Sequence, residues 1–160
     1  MSLSLVDVRF SRFSTGRPQL TRGTLAPAEG DAPASYERSV MARVSKDKEV
    51  VLGQLKKQGG QTMLIAGQTR PRVVPVAAPL HDDSNPITHD QAGLVSVRKG
   101  GGSFEFSIST RPAPSLDKDE LVIGQVLEGM ELVERLNILP TNNYNAGPMA
   151  TVRIERLAVL

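Results

Sequence analysis

Residues 104–110 read Phe-Glu-Phe-Ser-Ile-Ser-Thr, residues 111–118 read Arg-Pro-Ala-Pro-Ser-Leu-Asp-Lys, and residues 120–133 read Glu-Leu-Val-Ile-Gly-Gln-Val-Leu-Glu-Gly-Met-Glu-Leu-Val. The first run alternates apolar and polar side chains, which predicts a β-strand. The second is rich in proline and predicts a rigid loop. The third begins with the apolar strand 120–126 and continues into a predicted helix over 129–139, which Pro140 ends. These segments predict a strand, a loop, a second strand and a helix in that order, and this order is the main indication of the fold.

Short apolar runs elsewhere in the chain predict further strands. They lie at residues 6–10, 20–25, 49–52, 63–66, 94–97 and 151–160. The first alternates with period two, which favours a half-buried strand. Its arginine and serine content leaves a leftover targeting peptide as an alternative.

A second helix is predicted near residue 31, where Asp31 and Pro33 are typical of a cap and a first turn. Its apolar face would comprise Tyr36, Val40, Met41 and Val44. Two helices cannot cover a parallel sheet. We therefore expect a mainly β fold: an eight-stranded antiparallel barrel with one helix at each open end, formed as a single domain by residues 1–160.

Composition excludes several function classes. The 160 residues include no Cys, which excludes disulfide scaffolds, Cys-ligated metals and thiol catalysis. The chain has no Trp, four Phe and two Tyr, and its net charge is +2, so a nucleic-acid-binding role is not expected. No apolar run reaches the roughly 20 residues of a spanning helix, and we expect the chain to have no transmembrane segment of its own.

Two sets of polar residues are weighed as sites. His81, Asp82, Asp83, His89 and Asp90 could offer metal ligands, but their spacing is not that of a metal site, and exposed turns are the favoured interpretation. A carboxylate pair for acid–base work could come from Glu105, Asp117, Asp119 and Glu120, although the strand pattern places Glu105 on a solvated face. We expect neither a metal nor another cofactor.

The segments quoted at the start resemble the C-terminal half of cyclophilin-type peptidyl-prolyl isomerases, in which similar runs read Gln-Phe-Phe-Ile-Thr-Thr, Trp-Leu-Asp-Gly and His-Val-Val-Phe-Gly-x-Val-x-x-Gly-Met. Residues 89–96 are similar to the family's His-x-x-x-Gly-x-Leu-Ser segment, and the helix start at Asp31 to its Asp-x-x-Pro. The runs 106–115 and 126–129 resemble those of divergent plastid members, which read Phe-Leu-Ile-Thr-Thr-x-Pro-x-Pro-Ser and Val-Leu-Glu-Gly. The resemblance implies the barrel fold and suggests a chloroplast location, with the thylakoid lumen as one such place.

Family members are thought to lower the barrier to X–Pro rotation with an arginine, an apolar pocket for the proline ring and polar groups along the substrate backbone. By resemblance, Gln54 stands at the position of the catalytic arginine. Ser107 stands for the phenylalanine at the pocket floor, Ser115 for a tryptophan and Glu120 for a histidine. The full set of pocket equivalents is Ile65, Gln68, Glu105, Ser107, Ser115, Leu116 and Glu120.

The missing groups predict little or no isomerase activity. The favoured interpretation is a protein that binds partners in a multi-subunit complex, for example a photosynthetic one, through a cyclophilin scaffold with a degenerate active site. The alternative is a slow isomerase that assists protein folding.

Overall fold

The computed structural model describes residues 3–4, 9–12, 36, 39–54, 56–58, 62–64, 87–99 and 105–154. Within these residues the chain forms ten short strands, one α-helix and a 3-10 turn at Pro114–Leu116. The strands are β1 (Leu3–Ser4), β2 (Arg9–Arg12), β3 (Arg43–Ser45), β4 (Glu49–Leu52), β5 (Lys56–Gln58), β6 (Thr62–Leu64), β7 (Leu94–Arg98), β8 (Phe106–Ser109), β9 (Glu120–Glu128) and β10 (Val152–Arg153). The helix α1 comprises Met130–Asn137.

Six strands form one antiparallel sheet in the order β2-β9-β7-β8-β4-β3. Strand β9 is nine residues long and pairs with β2 on one side and β7 on the other. The short strands β1 and β10 pair in parallel, and β5 pairs with β6 as a hairpin. The mainly β prediction is therefore confirmed, with the strands at 49–52, 94–97 and 120–126 close to their expected places.

The chain just before β3 connects the sheet to β10. Val40 forms antiparallel bridges with both Gln54 and Arg153, and the Met41 amide donates to the Val152 carbonyl at 3.0 Å. Among the described strands, β1 and β2 belong to different sheets and do not pair with each other. The sheet that these strands form is not closed, so the expected eight-stranded barrel is not confirmed in this part of the chain.

The helix expected after residue 31 is wrong over residues 39–48, which form extended chain, strand β3 and the turn into β4. Its predicted start, Asp31, lies outside the described residues, as does the strand expected at 20–25. Tertiary pairing overrides the helical spacing, because the amides of Val40 and Ala42 donate to carbonyls of residues 54 and 51. The described residues thus contain one cap helix instead of two.

The core lies between the sheet and α1. Strands β4 and β8 are buried on both faces, which excludes the solvated face expected beside Phe106 and Ile108. Helix α1 buries Val133 and Leu136 in the same apolar cluster. The helix starts after Gly129, whose φ of 90° is a conformation that glycine adopts without strain.

Candidate functional site

A chain of polar side chains crosses the interior where β7, β8 and β9 lie side by side. Its members are Asp117 after the 3-10 turn, His89 before β7, Ser96 on β7, Ser107 on β8 and Glu120 at the start of β9. We call these five residues the polar chain. It connects a carboxylate at each end through one imidazole and two hydroxyl groups.

The contacts along the polar chain are short. His89 Nδ1 lies 2.6 Å from Asp117 Oδ1, and His89 Nε2 lies 2.9 Å from Ser96 Oγ. Ser96 Oγ lies 3.2 Å from Ser107 Oγ, and Ser107 Oγ donates to Glu120 Oε2. The His89 amide also donates to Asp117 Oδ1 at 2.8 Å, so the backbone fixes the position of the carboxylate.

Strand register places these groups together. Ser96 and Ser107 are direct partners in the β7–β8 pairing, so their side chains lie on the same face. Because both strands are buried on both faces, each hydroxyl needs a partner inside the protein. The three inner members are enclosed: His89 and Ser96 are 0% exposed and Ser107 is 3% exposed. The two carboxylates at the ends are partly accessible.

Asp117 is the end of the polar chain whose ionisation is altered most clearly. Burial raises the pKa of its carboxyl, but hydrogen bonds from the His89 ring and amide, and the charges of His89 and Lys99, outweigh this effect. The net pKa of Asp117 lies below its ordinary value of 3.8. Lys99 also donates from its Nζ to the Asp117 carbonyl, which holds a cation beside this end.

The structure brings together two of the residues expected at the site. Ser107 and Glu120 are hydrogen-bonded to each other, and Leu116 is buried in the 3-10 turn. Ser115 beside it is exposed, and Glu105 is partly buried just before β8 instead of solvated. Gln54 follows β4 and is partly buried, with its backbone paired to Val40. Ile65 and Gln68 lie outside the described residues.

Sequence reasoning missed two of the three inner members of the polar chain, His89 and Ser96. His89 was expected in an exposed turn, and this prediction is wrong because the residue is fully buried. A signal existed: Ser96 interrupts the apolar run of β7, and a buried hydroxyl requires a partner. Among the described residues no group of three or more His, Cys, Asp or Glu side chains could hold a metal ion.

Together the antiparallel sheet, the helix after β9 and the 3-10 turn between β8 and β9 define the class: a mainly β protein with one α-helix in its described part. The model of the family "Cyclophilin type peptidyl-prolyl cis-trans isomerase/CLD" matches residues 12–159. The chain belongs to this cyclophilin family.

Relatives and solved structures agree with this assignment. "Peptidyl-prolyl cis-trans isomerase H" of Mycosarcoma maydis is 30% identical over 148 residues, which cover 91% of this chain and 87% of that protein. "Probable inactive peptidyl-prolyl cis-trans isomerase-like 6" of Mus musculus is 29% identical over 137 residues, covering 82% of this chain and 40% of the mouse protein. A Cryptosporidium parvum cyclophilin crystallised in the presence of the dipeptide Ala-Pro has the same fold, with a TM-score of 0.63 and 17% identity, covering 92% of this chain and 89% of that one.

No helix in the described part of the chain is long and apolar enough to cross a membrane.

Proposed function

We propose that this cyclophilin has a degenerate isomerase site and acts as a binding or assembly subunit of a protein complex. The observation that carries the proposal is the environment of Ser107. By resemblance this residue stands where the family has the phenylalanine at the floor of the proline pocket. Here its hydroxyl is held between Ser96 and Glu120.

At this position a polar side chain would face the proline ring, which needs an apolar contact. An aromatic floor offers a large apolar contact, whereas Ser107 offers a small polar group already committed to two hydrogen bonds. A proline ring placed there would gain little apolar contact, and Glu120 beside it adds a carboxylate that a ligand would have to desolvate. A similar relative in mouse carries the name of a probable inactive isomerase.

A candidate contact surface lies on the loop that follows α1. Residues 138–151 contain no charged side chain, and Tyr144 in this loop is 98% exposed. The loop is well braced: Asn142 Oδ1 accepts from the amides of Tyr144 and Asn145, and the Asn142 amide donates to the Gly147 carbonyl at 2.9 Å. A rigidly presented tyrosine in a charge-free surface is typical of the anchors of protein interfaces.

The binding role is tested with the Tyr144→Ala variant of the tagged chain, expressed in its source cells. We expect the native mass of the complex that contains the chain to fall, because the partner loses its anchor. The fold itself should be unaffected, since the Tyr144 side chain is 98% exposed. Asn143→Ala is the matched control, since Asn143 is exposed in the same loop. A chain that runs as a free monomer in every case, wild type included, would contradict an assembly role.

A second candidate function is the slow isomerase, and a short sequence similarity beginning at Tyr36 favours it. The Tyr36 ring packs edge-on against Phe106 of β8, with ring centroids 5.1 Å apart. In the sequence Tyr36-Glu37-Arg38 keeps the aromatic residue and the arginine of the family's Phe-His-Arg segment. Arg38 is thus a second candidate, beside Gln54, for the position of the catalytic arginine.

Isomerisation of an X–Pro peptide by Arg38→Ala and Gln54→Ala separates these candidates. Acceleration by the wild type that is lost only in Arg38→Ala would support the slow isomerase with Arg38 as its arginine. Acceleration that is lost only in Gln54→Ala would support a slow isomerase in which Gln54 occupies the position of the catalytic arginine. No acceleration by any of the three proteins supports the degenerate site.

We propose a chloroplast location on the resemblance to plastid members alone. Fluorescence of the full-length chain fused at its C-terminus tests it: signal confined to chloroplasts is expected, and signal elsewhere in the cell contradicts it.

A further inference from the structure

The polar chain has four contacts, and each needs one hydrogen atom between its two heavy atoms. The contacts join Asp117 to His89, His89 to Ser96, Ser96 to Ser107, and Ser107 to Glu120. An ionised carboxylate only accepts, so both ends of the chain supply lone pairs and no hydrogen. The hydrogens must therefore come from the three inner members.

The inner members are one hydrogen short. Ser96 and Ser107 supply one hydrogen each, and a neutral His89 supplies one more. Three hydrogen atoms can form only three hydrogen bonds, so at the fourth contact the lone pairs of two heavy atoms would face each other. Its geometry would then be repulsive, in an interior that holds His89 and Ser96 at 0% exposure.

One added proton satisfies all four contacts in either of two arrangements. With the proton on His89, the ring donates to Asp117 and Ser96, Ser96 donates to Ser107, and Ser107 donates to Glu120. With the proton on Glu120, its carboxyl donates to Ser107, Ser107 to Ser96, and Ser96 to the ring. Moving three hydrogens along the chain converts one arrangement into the other, with no change in their number.

We infer that the polar chain is a proton-binding site, which holds one proton between His89 and Glu120 at neutral pH and couples β7 to β8 while it does so. Loss of this proton removes one contact. The longest of the four contacts is that between Ser96 and Ser107, at 3.2 Å. Because Ser107 stands at the floor of the family's pocket, proton loss would alter that floor. This goes beyond the proposed binding role and does not depend on isomerase activity.

The surrounding charges fit a site of net charge −1. Lys99 contributes to holding Asp117 ionised, and Arg98 is the strand partner of Glu120. On the β4 side Val51 is the partner of Ser107 and offers no charge. The buried Glu49 on that strand is paired instead with Arg43, at 3.1 Å. Lys118 and Asp119, an exposed pair 3.9 Å apart, lie beside the Asp117 end.

The experiment reads the protonation of the His89 ring and of the Glu120 carboxyl by nitrogen and carbon NMR shifts at neutral pH. The chain has two histidines, so a His81→Gln background leaves His89 alone. We expect either a doubly protonated ring with ionised Glu120, or a singly protonated ring with protonated Glu120. A neutral ring beside two ionised carboxylates in the folded protein would overturn the inference.

Glu120→Gln is the decisive variant, because its amide supplies the missing hydrogen to Ser107. In this variant we expect a neutral His89 ring, protonated on Nδ1, and a folded protein. Ser107→Ala, which removes two contacts and one hydrogen, should also leave His89 neutral. Glu128→Gln at the other end of β9 is the control and should keep the wild-type result. A doubly protonated His89 ring that persists in Glu120→Gln and Ser107→Ala would contradict a shared proton, as would a wild type with a neutral ring and an ionised Glu120.

Discussion

His89 shows most clearly how single residues define this site. Its ring and its amide both contact Asp117, while the other ring nitrogen contacts Ser96, so one buried side chain connects a turn to the middle of the sheet. The fold could not tolerate an unpaired imidazole at 0% exposure. The position of Asp117 therefore matters for stability as well as for the site.

Asp117 predicts how stability depends on pH. The pKa of its carboxyl is lowered on folding, so the stabilisation that it gives is present above its unfolded pKa of about 3.8 and is lost as pH falls through the lower folded pKa. In Asp117→Asn we expect lower stability at neutral pH and a weaker loss below about pH 4.

Urea unfolding from pH 2 to 7 measures this, with Asp119→Asn as the control because Asp119 is exposed close by. Equal slopes of stability against pH in Asp117→Asn and wild type would contradict the assigned role.

At the scale of elements, α1 is fixed to the β3–β4 turn by Asn137. Its side-chain amide donates to the carbonyls of Ser45 and Glu49, at 2.9 and 3.2 Å, and its oxygen accepts from the Asp47 amide at 2.8 Å. Asp47 itself has a φ of 57°, a strained value for a residue with a side chain. The helix therefore holds the turn that positions β4.

Asn137→Ala should destabilise the fold by about 3 kcal/mol, because three backbone groups lose their partner at a buried site. Thermal or urea unfolding measures the change. Asn143→Ala, an exposed asparagine in the following loop, should cost less than about 0.5 kcal/mol. Similar losses of unfolding free energy in the two variants would show that the hydrogen bonds of Asn137 to the β3–β4 turn do not stabilise the fold.

Local patterns predicted some elements well and others badly. The strand at 49–52 and the helix over 130–137 have apolar spacing that agrees with their tertiary contacts, so the sequence was sufficient. Residues 40–44 have helical spacing but are drawn into strands by Gln54, Val51 and Val152, partners that no local pattern reveals. The site depends on the same kind of long-range pairing. Ser107 and Glu120 could be named from the family resemblance, whereas their link through Ser96 to His89 required the register of β7 on β8.

At the scale of the whole molecule, the family match and the proposed change of the site belong to different parts of the structure. The family match extends over residues 12–159, and the antiparallel sheet with the helix after β9 follows the family fold. Inside it, a buried chain of polar side chains stands at the position where the family's resemblance predicts an apolar pocket floor. A scaffold kept while the pocket changes is the pattern expected when a fold is reused for binding.

The degenerate active site proposed for this protein is tested by exchange NMR of an Ala-Pro-containing peptide with and without the wild-type protein. The spontaneous exchange is slow because the barrier to X–Pro rotation is about 20 kcal/mol. We expect the cis–trans exchange rate to stay at its spontaneous value, since Ser107, which we propose lies at the pocket floor, is polar and already hydrogen-bonded to Ser96 and Glu120. Acceleration proportional to protein concentration, and abolished by Leu116→Ala, would contradict a degenerate active site.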